Sequence, residues 1–225
     1  MIGILIALQV NNWNETRKKK NVELEILETI KIDLDRTLDD IQNDYESHLR
    51  NQNGGNKFQR FLLGENIPED SIFLYFNLLS GDQHFFPNSS GYETLKSSGM
   101  NTISNDSLRL RITKAYEEIF PRVKEWDESN PRWDIGVVFH PYLKKHFFLR
   151  DELAENQPSN AEFDYYKFKI KSIEEIRNDH DLRIDLQETF KIRRKKIGLS
   201  NITVRELKEI LPMINSEIDR LKKVT

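Results

Sequence analysis

Glycine and proline, the residues that stop helices and turn strands, are scarce in this chain: 9 and 7 of 225 residues, about 7% where an average protein carries about 12%. A sandwich or barrel of short strands needs a turn signal roughly every ten residues, and this chain does not supply them. It is expected to build a few long elements instead, and its apolar residues recur at steps of three and four, the period of a helix. The expected class is all-α: an up-and-down helical bundle whose long N-terminal helix continues from a truncated membrane helix. Cysteine is absent, which removes disulfides, thiolate metal sites and thiol nucleophiles together. The formal net charge of -3 is too small to point to a nucleic acid or an acidic polymer.

One stretch departs from this hydrophilic average. Residues 1–10, MIGILIALQV, hold a single polar side chain, Gln9; Asn11, Asn12 and Trp13 follow, and then the basic run Arg17, Lys18, Lys19, Lys20. Thirteen helical residues measure about 20 Å against a hydrocarbon layer of about 30 Å, too short to span it. Three readings compete. A signal peptide places its cations before the apolar core and a small-residue cleavage site after it, the reverse of this order. A helix buried in a soluble domain satisfies the periodicity alone. The C-terminal part of a membrane helix fits the order of residue types best. In that reading Ile2, Gly3, Ile4, Leu5, Ile6, Ala7, Leu8 and Val10 face lipid, Trp13 sits at the headgroups and the lysines stand in water. The expected organisation is therefore residues 1–13 as part of a transmembrane helix and residues 14–225 as a single helical domain. Gly3 and Ala7 form one small-xxx-small pair, a weak signal for helix pairing in the membrane.

Beyond the basic run, Leu27, Ile30, Leu34, Leu38, Ile41, Tyr45 and Leu49 form an apolar stripe, with Asp33, Asp35, Asp39, Asp40 and Asp44 read as a solvated face. The paired glycines of NQNGGN (residues 51–56) are expected to end this helix, and a short helix with Phe58, Phe61 and Leu62 to follow. Asp70 or Ser71 is expected to cap a helix over residues 72–79. Ser90 with Glu93 reads as a capping box and Gly99 as the matching stop. Asn105 or Asp106 caps the next helix, which Pro121 is expected to kink. Residues 131–149 read as loop and helix, because a lone strand there finds no partner, and residues 155–160 as a polar connection. Residues 161–197 read as helix, with Phe168, Ile173, Ile176, Leu182, Leu186 and Phe190 buried, until Gly198 breaks it. Thr203 with Glu206 then opens a final helix that Pro212 bends or splits.

Patterns that carry chemistry are sparse. None of His48, His84, His140, His146 and His180 has metal-ligand spacing, and no Glu lies three residues before a histidine as bundle di-metal sites require; these read as surface or capping histidines. The Asp179-His180-Asp181 triplet reads as a solvated turn. No nucleophile elbow, phosphate-binding glycine loop or dinucleotide fingerprint is present. Residues 95–112 faintly resemble a helix-turn-helix, but between residues 89 and 115 cations outnumber carboxylates by only two, weak for DNA. The run Lys191, Arg193, Arg194, Lys195, Lys196 reads as cations complementing a helix C-terminus, with binding of anionic lipid or phosphate as the rival reading.

Two stretches resemble a known family. Residues 2–15, IGILIALQVNNWNE, look like the signature that closes the single membrane helix in bacterial proteins filed as domain of unknown function 6090. Residues 92–108, YETLKSSGMNTISNDSL, are similar to that family's mid-chain pattern through Tyr92, Leu95, Ser98, Gly99, Ile103, Asn105 and Leu108, a motif of unknown role. The family has no established activity, so the resemblance implies no catalytic residues; it implies a short basic N-terminus and about ten further apolar residues ahead of this point. The expectation is a single-pass inner-membrane protein, its domain leaning periplasmic, that senses, binds or scaffolds at the membrane without catalysis. The alternative is a soluble helical regulator with weak nucleic-acid binding. The expected partner is the lipid bilayer, with a further copy or another protein possible. No nucleic acid, no cofactor and no metal is expected, and the ligand is left open.

Overall fold

The computed structural model describes residues 2–128, 134–153 and 166–224, and these are helical apart from one pair of short strands. In chain order they form α1 (Ile2–Leu62), α2 (Glu69–Ser80), α3 (Ser90–Ser98), a 3-10 turn (Met100–Thr102), α4 (Asp106–Lys114), a π-helical turn (Ala115–Ile119), α5 (Phe120–Glu128), α6 (Ile135–His146), β1 (Phe147–Leu153), β2 (Tyr166–Ile170), α7 (Ile173–Asn178) and α8 (His180–Val224). The fold is all-α. The chain gathers into two compact units. One comprises Met1–Asp44, Phe85–Asp127 and Leu199–Thr225; the other comprises Tyr45–His84 and Glu128–Gly198. The polar connection expected at residues 155–160 lies outside the described residues.

In the first unit the predicted stripe of α1 is the floor of the core: Leu27, Ile30 and Leu34 are fully enclosed. Tyr92 and Leu95 of α3, Ile103 of the loop after it, Leu108 and Ile112 of α4 and Leu207, Ile210 and Ile214 of α8 pack on it. The C-terminal part of α8 lies beside the first half of α1, with Lys222 Nζ 2.7 Å from Glu28 Oε1. Gly91 sets how closely α3 approaches α1: a Cβ there would stand 2.6 Å from the backbone nitrogen of Ile30. Asp33, expected on a solvated face, is 4% exposed. Its carboxylate accepts the Gly91 N–H at 2.7 Å and the Ser90 hydroxyl, satisfying a donor at the start of α3. Ser90 thus serves Asp33 and not a capping box, and α3 begins with no side-chain cap of its own. A π-helical turn stands just before Pro121, where the wider backbone spacing accommodates a residue without an N–H.

In the second unit α1 continues through the paired glycines where an end was expected, and Phe58, Phe61 and Leu62 belong to this same helix. The glycines are used for closeness: a Cβ on Gly54 would meet Leu78 Cβ at 2.4 Å, and one on Gly55 would meet Phe190 at 2.8 Å. Packing outweighs the helix-propensity cost of about 1 kcal/mol per glycine. Phe76 of α2 is the hub of the core, with Phe58, Phe139 and Phe147 around it at ring-centroid distances of 5.6, 5.9 and 4.8 Å. Residues 135–146 are helical, as expected; a strand, β1, follows at Phe147, and its antiparallel partner β2 lies in residues expected to be helical. Phe73 of α2 stacks on Phe168 of β2 at 4.6 Å. Ile176, Leu182 and Leu186 are buried as expected, whereas Ile173 is exposed. Helix α8 runs unbroken past Gly198 and Thr203, where a break and a new start were expected, and Pro212 does not split it. Thr203 is buried inside it and donates its hydroxyl to Leu199 O.

Candidate functional site

The family-like motif divides by chemistry. Tyr92, Leu95, Ile103 and Leu108 are core residues of the first unit. Tyr92 stacks in parallel on Tyr116 at 4.4 Å, and burial, with the nearby Glu117 carboxylate, pushes its phenol up to about 12. The polar members, Ser98, Gly99 and Asn105, shape and flank the loop of residues 98–104. Gly99 turns the chain at φ +91°, a conformation that favours glycine. Asn105 caps α4 by accepting the Leu108 N–H at 3.1 Å and donates its amide to Glu217 of α8.

That loop closes a groove of about 750 Å³ in the first unit. Its walls are the basic stretch of α1 (Thr16, Lys18, Lys19, Lys20, Val22, Glu23), loop residues Ser98, Gly99, Met100, Asn101, Thr102 and Ser104, and Arg220 and Leu221 of α8. The loop is tied to both helices. Glu23, 3% exposed, accepts the Ser104 N–H at 2.7 Å and its hydroxyl at 2.9 Å. Arg220 donates to Ser104 Oγ at 3.2 Å and to Glu217. Hydrogen bonding from Arg220, then from Asn105, holds the Glu217 carboxyl below the usual range against the opposing effect of burial. The same pair raises the Arg220 guanidinium. Four cations line the groove against one carboxylate, and that carboxylate is already bonded to the loop. Such a lining offers N–H and O–H donors and positive charge to an anion.

The N-terminal end of α1 has a different character. Ile4, Ile6, Leu8, Val10 and Trp13 are all more than half exposed, and at about 100° per residue they fall on opposite sides of the helix. Ala7 is exposed as well; Ile2, Gly3 and Leu5 are helical. Arg17 lies over the Trp13 ring at 5.6 Å. Among the described residues no helix is long and apolar enough to cross a membrane.

Several polar residues differ from their expected surroundings. His48 and His146 are buried, whereas His84, His140 and His180 are exposed. Asp179, expected in a solvated turn, is buried and caps α8 by accepting the Leu182 N–H. His146 Nε2 lies 2.6 Å from it and Lys145 Nζ 2.8 Å. Burial opposes its ionisation, yet these donors prevail and hold its carboxyl at about 2. Arg193 and Lys196 do not stand at the end of their own helix, which runs on to Val224. Arg193 is fully buried and donates to the carbonyls of Leu79 and Gly81 at the end of α2, while burial draws its guanidinium down to about 10. Lys196 pairs with Asp82 at 2.9 Å. The helix-turn-helix-like side chains are engaged within the chain: Arg109 with Asp106, and Arg111 and Lys114 with Glu206. Among the described residues no group of three or more His, Asp or Glu is placed to hold a metal.

A family model described as a family of unknown function, DUF6090, matches residues 1–137. No curated protein and no solved structure matches the chain.

Proposed function

The chain belongs to the DUF6090 family, a family of unknown function, and from that premise we propose that it is a helical domain held at a bilayer by the start of α1, where it binds or scaffolds by contact and not by catalysis. One observation carries the reading. The exposed apolar residues Ile4, Ile6, Leu8 and Val10 lie on opposite sides of the helix, and beyond two asparagines come Trp13, with Arg17 over its ring, and then three lysines. A helix that lies flat on a membrane is apolar on one side and charged on the other; one that enters lipid is apolar on every side until an aromatic and cationic collar marks the interface. Residues 4–13 measure about 15 Å, half the hydrocarbon depth. The groove is lined for binding by donors and cations, which agrees with a non-catalytic role.

The test is flotation with phosphatidylcholine vesicles of the intact chain and of the Ile6→Asp/Leu8→Asp double variant. The wild type is expected to float. A carboxylate in the hydrocarbon costs about 2.5–3.5 kcal/mol, so the double variant is expected to lose binding by more than about a hundredfold at unchanged helicity. A wild-type chain that stays in the dense fraction refutes the reading.

A further inference from the structure

We propose that the groove between α1, the 98–104 loop and α8 receives the phosphate of an anionic phospholipid headgroup, with Lys19 and Lys20 as its counter-charges. The inference rests on the membrane reading above and specifies the ligand. Of the cations in the groove, Lys18 is drawn to Glu15 at 3.1 Å and Arg220 to Glu217. Glu23 is spent on Ser104. Lys19 and Lys20 have no carboxylate partner among the described residues. The groove therefore carries uncompensated positive charge at one edge, and an anion is its complement.

Position then selects the source of that anion. Lys20 follows Trp13 by seven residues, about 10 Å along the helix. With Trp13 at the interface, the lysines and the mouth of the groove lie at the outer part of the headgroup layer, where lipid phosphates are. The wall chemistry agrees with a phosphoglycerol group: Val22, Met100 and Leu221 give an apolar lining for the glycerol carbons, and Ser98 and Asn101 add uncharged donors. A volume of about 750 Å³ admits one headgroup. The Glu23 and Arg220 bonds fix the loop before a ligand arrives, so little ordering cost falls on binding.

The experiment compares the intact chain on vesicles of phosphatidylcholine and on vesicles that also contain about one-third phosphatidylglycerol, with glycerol 1-phosphate titrated in the absence of vesicles as a separate arm. Phosphatidylglycerol is expected to strengthen binding. Lys19→Gln/Lys20→Gln is expected to reduce that gain about thirtyfold, the worth of two lysines at an anionic surface, while binding to phosphatidylcholine alone persists. Asn101→Trp, which fills the groove without changing charge, is expected to remove most of the gain too; Val22→Trp does the same from the α1 side, and circular dichroism checks each fold. A gain that survives both tryptophan variants reflects diffuse attraction to the basic run and overturns the groove. Tight binding of soluble glycerol 1-phosphate overturns the lipid source. Persistent binding to phosphatidylcholine with no phosphatidylglycerol gain overturns this proposal alone, whereas loss of all vesicle binding overturns the membrane reading and the proposal with it.

Discussion

Three buried carboxylates perform one task at three places. Glu23 accepts the Ser104 N–H, Asp33 the Gly91 N–H and Asp179 the Leu182 N–H. Each satisfies a main-chain donor at a loop or helix start that would otherwise be buried unpaired, a loss of about 1–3 kcal/mol. The ionisation of Asp179 responds to these contacts. Its carboxyl falls from 3.8 to about 2, so its stabilisation is fully present above the ordinary value and is lost as pH falls from about 4 to about 2. Asp179→Asn is expected to cost on the order of 2 kcal/mol at neutral pH and to flatten the acid limb of stability over that window, read by urea unfolding at a series of pH values. An unchanged acid limb would mean that Asp179 does not titrate as its surroundings imply. These roles were only partly legible beforehand. Asp33 lies three residues from Ile30 and so falls within the apolar stripe, a signal that it is enclosed; its partner 58 residues away leaves no trace in local spacing. Asn105 was legible as a cap because its partner, Leu108, is three residues on.

The elements show the same division between local and distant causes. A stripe of period three and four located the core face of α1, since an amphipathic face is written within the helix itself. Helix ends were misjudged where glycine serves packing. Gly54 and Gly55 admit Leu78 and Phe190, and nothing near them in sequence distinguishes that use from a stop. The alternation of Tyr166, Phe168 and Ile170 with two lysines is a strand pattern of period two, obscured because its partner precedes it across residues 154–165. Two glycines test the packing account by contrast. Gly91→Ala places a Cβ 2.6 Å from the Ile30 backbone and is expected to destabilise the chain by about 1–3 kcal/mol. Gly198→Ala meets nothing within 4 Å inside α8 and is expected to stabilise it by about 0.5–1 kcal/mol. Thermal unfolding of the two variants would contradict the account if their effects were equal or reversed.

At the scale of the whole molecule, family membership and the all-α class follow from features written in short stretches, and both stand. The groove was not legible, because it requires the 98–104 loop to meet the basic run about 80 residues earlier and Arg220 about 120 residues later. Its polar motif positions had local explanations as stops and caps, which are true and incomplete. The absence of cysteine permits the central claim, that α1 enters lipid and sets the groove at the headgroups, to be tested by depth. Single cysteines carrying a nitroxide would replace Leu8 and, separately, Lys20 in the vesicle-bound chain, with electron paramagnetic resonance power saturation by oxygen and by a water-soluble nickel complex as the readout. The account predicts a label at position 8 relaxed by oxygen and shielded from nickel, and a label at position 20 open to nickel at the level of the lipid phosphates. Equal nickel access at the two positions would contradict it.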